Sequence, residues 1–356
     1  MHNLPRSSAA LLRHYCRRMT DSLADTFDLG ALRSPVAMHD VRRFDRAQGT
    51  PLGRRWKAKI VVCTLYLAAQ AVFLSLYVPV AKLPSATADT ITGAVFVLSG
   101  LLAAWWCAVA WRDAVRAVRV ARAAASNGLD FDVHPRVVDL PGTAVVSLPG
   151  AVATHALRPR SAGRWPVFTA ASVGPEFARA VRHRGIVAIT LEVQTPHIVV
   201  HNRRARARDG FASKVRGGQR LRLEGDFDRT FSLYVPAGYE RDALYVFTPD
   251  VMQRMLDVAA DCQAELVDGW FVLTARRPWR LWREQEFVAL LTMVSVLGTR
   301  VRSQTQRYRD DRSLRSGEVA PHGRRLRVRL SAGFIAAIFV PGVFVVAGLC
   351  RLLGLV

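Results

Sequence analysis

IVVCTLYLAAQAVFLSLYVPVA, residues 60–81, and TITGAVFVLSGLLAAWWCAVAW, residues 90–111, decide how this chain is read. Neither run holds a charged side chain over about 22 positions, enough for a helix rising 1.5 Å per residue to cross a ~30 Å hydrocarbon core. Lys59 and Lys82 bracket the first run and Asp89 and Arg112 the second. Trp105, Trp106 and Trp111 gather toward the far end of the second, where indole rings suit the headgroup boundary. The link between them carries Pro84, Ser85 and Thr87, which suit a turn between antiparallel spans. Burying about forty continuously apolar residues in a soluble core would need a very large surrounding domain. The expectation is a transmembrane helical hairpin over 56–112, with spans 60–81 and 90–111.

A third apolar run, Leu330 to Cys350, follows Arg324, Arg325, Arg327 and Arg329 and contains Pro341-Gly342 near its middle. It is expected to be a C-terminal transmembrane helix, since such helices tolerate Pro and Gly. A re-entrant or interfacial segment is the alternative, because Arg351 leaves only a short tail. Arg42, Arg43, Arg46, Arg54, Arg55, Lys57 and Lys59 precede the hairpin, and Arg112, Arg116, Arg119 and Arg122 follow it. Positive residues stay inside, which puts the N-terminus and central region of a multi-pass cell-membrane protein in the cytoplasm and the C-terminus outside.

The chain is 51% hydrophobic yet has a formal charge of +22, so the two properties are segregated along it. Such a charge calls for a membrane face or an acidic partner. Only Lys57, Lys59, Lys82 and Lys214 are lysines. Codon bias accounts for most of that preference, although guanidinium forks also bind phosphate oxygens. The five cysteines are scattered, with no CxxC or Cys/His cluster, so neither a metal site nor a disulfide framework is expected, and no cofactor is called for. An Arg-containing, polar stretch of more than fifty residues ahead of the first apolar run argues against a cleavable signal.

Residues 1–55 lack sustained periodicity and read as a basic arm, largely disordered or weakly helical. Residues 113–128 read as a basic helical extension that stops at Ser126-Asn127-Gly128. From 129 to 310 the pattern predicts an α+β cytosolic domain. Ile186–Val193 and His197–His201 read as neighbouring strands, followed by Leu221–Leu223, Thr230–Val235 and Leu244–Phe247. Thr248-Pro249-Asp250 opens a helix. Ala264–Val267 and Trp270–Leu273 form a hairpin through Asp268-Gly269, and a long helix runs from Trp279 toward Arg309. Residues 311–329 read as a polybasic linker.

The stretch Gly225-Asp226-Phe227-Asp228-Arg229-Thr230-Phe231, with Tyr234-Val235-Pro236 and Tyr245-Val246-Phe247-Thr248-Pro249 after it, resembles uncharacterised multi-pass membrane proteins of actinobacteria. The resemblance is clearest from 196 to 274. It implies a membrane location and no activity, and it brings no catalytic residues.

The candidate binding residues for anionic headgroups or a protein partner are Arg112, Arg116 and Arg119 after the hairpin, Arg203, Arg204, Arg206, Arg208 and Arg216 in a Gly-containing loop, and Arg324, Arg325 and Arg327 before the third run. The loop lacks Walker spacing, and Phe211 alone gives too little stacking for single-stranded nucleic acid, so nucleic acid is disfavoured. No nucleophile elbow, kinase or metalloprotease motif occurs, and the spans hold no ionisable side chain to mark a transport path. The leading expectation is therefore a non-enzymatic protein. The alternative is a membrane-bound enzyme using Glu224, Asp226 and Asp228. His197 and His201 would stand about 13 Å apart on a strand, too far to share a metal. Phe287, Leu290, Val294, Leu297 and Val301 are spaced for either a homo-oligomeric seam or packing on the chain's own sheet.

Overall fold

The computed structural model describes residues 26–48, 60–72, 85–133, 135, 151–161, 165–175, 183–204, 220–223, 225–313, 315 and 317–326. The run 330–350, the stretch 73–84 and the whole 205–219 loop, with Glu224, Arg206, Arg208, Arg216 and Arg327, lie outside them.

The described chain is an α+β structure built on one large antiparallel sheet and one long apolar helix. Two helices, α1 (Gly30–Arg33) and α2 (Met38–Gln48), come first. The apolar helix α3 (Ile60–Val72) follows, then α4 (Ser85–Ser126), which is 42 residues long. At 1.5 Å per residue α4 measures about 63 Å. It ends where the sequence predicts, with Asn127 and Gly128 (φ 75°) turning the chain. The Asn127 side chain donates to the Ala123 carbonyl (2.7 Å) and to Asp28 (2.9 Å).

Nine strands follow among the described residues. They are β1 (Leu129–Asp132), β2 (Ala151–Pro159), β3 (Phe168–Pro175), β4 (Arg184–Thr190), β5 (Ile198–Asn202), β6 (Arg220–Leu221), β7 (Phe231–Tyr234), β8 (Cys262–Val267) and β9 (Trp270–Ala275). Their spatial order is β1-β2-β3-β4-β9-β8-β5-β7-β6, with every neighbouring pair antiparallel. The β8–β9 hairpin turns on Asp268 (φ 50°) and Gly269 (φ 75°), the two positive φ values that a tight two-residue turn requires. This hairpin separates β4 from β5, so the expected neighbours are two strands apart. The short Thr195-Pro196 interval suggests adjacency, but pairing follows the long-range match of apolar faces.

Between strands lie α5 (Asp226–Thr230), α6 (Glu240–Val246) and α7 (Pro249–Val258). Helix α6 replaces the strand expected at Leu244–Phe247. Its buried residues Ala243, Val246 and Phe247 follow helical spacing, and Glu240 and Asp242 occupy its first turn. Thr248 caps α7 as expected, accepting from the Val251 amide at 3.4 Å. After β9, a helix begins at Glu284 rather than Trp279. It comprises α8 (Glu284–Thr292), a π-helical turn (Met293–Gly298) and α9 (Thr299–Thr305). Phe287, Leu290, Val294, Leu297 and Val301 are all fully buried within the chain, packed with Val187, Ile189, Leu273 and Val200 of the sheet. They are core residues packed on the chain's own sheet, the second of the two expected roles.

Over residues 26–48 the helical alternative holds and the disordered one is corrected. Val41 packs on Ala114 and Val118 of α4 with Phe44 and Trp111 at the margin, and Phe27 stacks on Trp165 at 5.8 Å. The apolar positions are too few to show periodicity without their partner helix.

Gly185 faces the Trp279 ring, whose nitrogen donates to the Ile186 carbonyl (3.3 Å). An added Cβ there would lie 2.6 Å from the indole. Gly185→Ala is expected to cost about 1–3 kcal/mol by overpacking. Chemical denaturation of the purified chain checks it, and an unchanged midpoint would contradict the packing described.

Candidate binding surface at the base of the long helix

Helix α4 changes environment along its length. Val97, Leu98, Leu101, Leu102 and Trp105 are 62–67% exposed, whereas Ala114, Ala117, Val118, Val120, Ala123 and Ala124 are 0–6% exposed. The change falls at Trp111–Ala114, where the uncharged run meets Arg112. Arg112 itself is exposed.

The next three arginines of α4 are engaged inside the protein. Arg116 pairs with Asp113 (3.1 Å) and lies over the Trp282 ring at 4.7 Å. Arg119 donates to the Ser34 carbonyl (3.1 Å). Arg122 donates to the Pro35 carbonyl (3.2 Å) and pairs with Asp40 at 2.7 Å. The Asp40 carboxyl is held below the usual carboxylate range, by the Ala37 amide first and Arg122 after it, against burial. Arg119, a predicted headgroup residue, and Arg122 thus fasten the N-terminal segment to α4.

Strand direction locates the rest of this end. β3 starts beside the C-terminal end of α4, where the Trp165 indole donates to the Asn127 carbonyl at 2.8 Å. β3 and β9 both flank β4 antiparallel to it, so β9 runs the same way and finishes at the opposite end. There Arg276-Arg277-Pro278-Trp279-Arg280-Leu281-Trp282-Arg283 joins β9 to α8. The Trp282 contact puts this segment beside Arg116, about 6 Å along the helix from Arg112. Arg276, Arg277 and Arg283 are exposed, as are Arg42, Arg43 and Arg46 of α2. Sequence reasoning assigned 279–283 to a helix and overlooked the Arg/Trp alternation, the one signal that could have found the segment.

The other end carries the Asp268-Gly269 turn and a strap formed by residues 317–326, which corrects the expected linker over those residues. Val319, Ala320 and Leu326 are buried. Arg325 grips Asp268 with two hydrogen bonds (2.8 and 2.6 Å), and Arg324 pairs with Glu318 at 3.0 Å. Both predicted binding residues are therefore spent on strap anchoring. The His197 Nδ1 accepts the Leu326 amide (3.0 Å), so the neutral ring carries its proton on Nε2 and donates to Glu265 at 2.7 Å. Asp310 accepts from the Ala320 amide (2.9 Å), the Tyr239 hydroxyl (2.7 Å) and the Arg312 amide (3.0 Å). Burial raises the Asp310 pKa, and these donors outweigh it, leaving the carboxyl below its ordinary value. Burial and Asp310 together push the Tyr239 phenol well up.

Arg203 donates to the Asp228 carbonyl (2.6 Å), and the Arg204 amide donates to Asn202 (2.8 Å). Asp226 pairs with Arg229 (2.8 Å) and is 72% exposed, while Asp228 faces Arg220 at 3.6 Å. The two carboxylates are held by separate arginines on a single helical turn. Phe227 and Phe231, from the same stretch, are buried at 5.0 Å from each other.

No protein-family model and no curated protein matches the chain. Among solved structures, the chain is similar to the crystal structure of the mycobacterial trehalose monomycolate transport factor A, TtfA, at 11% identity and a TM-score of 0.35. The match covers 54% of this chain and 94% of that one.

The strap is expected to depend on acid. Asp268, lowered chiefly by its hydrogen bonds to Arg325, and Asp310 both have folded pKa values below their unfolded ones, so their stabilisation is complete above the unfolded value of about 3.9. It is lost as pH falls through the folded values. Asp310→Asn should therefore flatten the acid limb of a stability-against-pH curve. A variant curve parallel to that of the parent would refute the assignment.

Proposed function

We propose that this chain is a non-enzymatic integral membrane protein of the cell membrane. In this reading 60–81 and 90–111 form a transmembrane hairpin and 330–350 is a further crossing. The N-terminus and the sheet domain lie in the cytoplasm, and the domain's basic surface meets anionic lipid or a protein partner.

One observation carries the reading. Helix α4 leaves its large apolar side chains exposed over the very run that lacks charge and buries its small residues in the domain beyond Arg112. An exposed face bearing Leu98, Leu101, Leu102 and Trp105 is costly in water, at roughly 25 cal/mol per Å² of apolar surface, and costs nothing in hydrocarbon. The adjoining groove is apolar too, lined by Val62, Cys63 and Tyr66 of α3 and by Ser99, Leu102 and Trp106 of α4. The Ser99 hydroxyl donates to the Val95 carbonyl of its own helix (2.7 Å), which suits a medium without water.

The carboxylates at Asp226 and Asp228 gain no support as a catalytic pair from their separate ion pairs.

The chain should stay in the membrane pellet after alkaline carbonate washing. A single cysteine near Ser85 should react with an impermeant maleimide in intact cells, and one in the 205–219 loop should react only after lysis. Carbonate release, or the reverse labelling pattern, would refute the reading.

A further inference from the structure

On the membrane-anchored reading above, we propose that the domain end nearest Arg112 rests on the anionic headgroups of one leaflet, through α2 and the 276–283 segment. Of the arginines selected from the sequence this set keeps Arg112 and adds others, while Arg116, Arg119, Arg324 and Arg325 are engaged inside the protein.

Position comes first. The last apolar residues of the run are at Trp111, and α2 packs around that same level through Val41 on Ala114 and Val118. Trp282 lies one turn further along, under Arg116. Indoles at such a level sit well at a membrane boundary. The surface around them must face the bilayer if α4 crosses it, because α4 is one uninterrupted helix.

Charge comes second. Arg42, Arg43 and Arg112 are exposed and have no carboxylate partner among the described residues, and the same holds for Arg276, Arg277 and Arg283. The acids of this end are already engaged. Asp113 is paired with Arg116, Asp40 with Arg122 and Glu284 with Arg33, while Glu286 accepts the Arg280 amide. Both carboxylate oxygens of Asp45 are shielded from solvent. At the far end Arg302, Arg312, Arg324 and Arg325 are each held by a carboxylate, which leaves Arg307 and Arg309 as useful controls. Guanidinium groups left unpaired beside a membrane boundary match phosphate oxygens in charge and geometry.

The test uses the full chain in nanodiscs of neutral or anionic lipid, read by hydrogen exchange of peptides covering 38–48 and 276–283. Anionic lipid should slow exchange in both segments, and raised salt should reverse the effect. The triple variant Arg276→Gln, Arg277→Gln, Arg283→Gln should lower the docked-to-undocked ratio about fivefold per arginine, on the order of a hundredfold in all. Arg307→Gln with Arg309→Gln should leave it unchanged. Equal exchange in the two lipids, or equal loss in both variants, overturns the proposal and leaves an acidic protein as the occupant to seek. Failure of carbonate-resistant integration would instead overturn the anchoring itself, so the two failures are told apart.

Discussion

The continuity of α4 is the constraint on which the rest depends. A helix cannot turn without breaking its hydrogen-bond ladder, so the direction of residues 90–111 fixes that of residues 112–126. The latter are locked into the domain by Ala117, Val120, Ala123 and Ala124, all within its main core. The apolar half and the domain therefore behave as one rigid unit, and the helix axis decides which surface of the domain lies next to its apolar half.

Small residues make this junction possible. Alanines on the domain half of α4 allow close approach by α2 and the sheet, while the long side chains on the same half are arginines that reach past the contact. Arg119 and Arg122 lay their stems along the helix and deliver charge to Ser34, Pro35 and Asp40. Their positive charge thus acts as a clasp for the N-terminal segment. Folding thus decides which guanidinium groups stay exposed without a neighbouring acid.

Much of the fold was legible where the cause is local. The stop at Asn127-Gly128, the Thr248 cap and the Asp268-Gly269 turn are all set by residues within a few positions of one another. The errors lie where the cause is distant. Residues 26–48 order because Asp28 meets Asn127, 99 positions away, and the strap orders because Leu326 meets His197 across 129 positions. Leu244–Phe247 was too short an apolar run to separate strand from helix, and only burial of Ala243 with Val246 and Phe247 decides it. Charge alone misled most. Arg324 and Arg325 are as basic as any residue in the chain, but whether an arginine is free depends on carboxylates brought to it by folding.

The strap gives the far end a different character. Its polar contacts are buried and directional: His197 between Leu326 and Glu265, and Asp310 between Tyr239, Ala320 and Arg312, whose guanidinium lies 4.5 Å over the Tyr239 ring. Gly323 completes the lock, since a side chain there would meet Tyr239, whose hydroxyl is tied to Asp310. Removing one partner from such a network leaves buried groups unsatisfied, which costs more than the net gain of any single bond. Leu326, the last described residue before the third apolar run, is thereby fixed on Val199 and Tyr234. The Leu326 amide on His197, and His197 on Glu265, thus tie the strap both to the start of β5 and to β8 in the middle of the sheet.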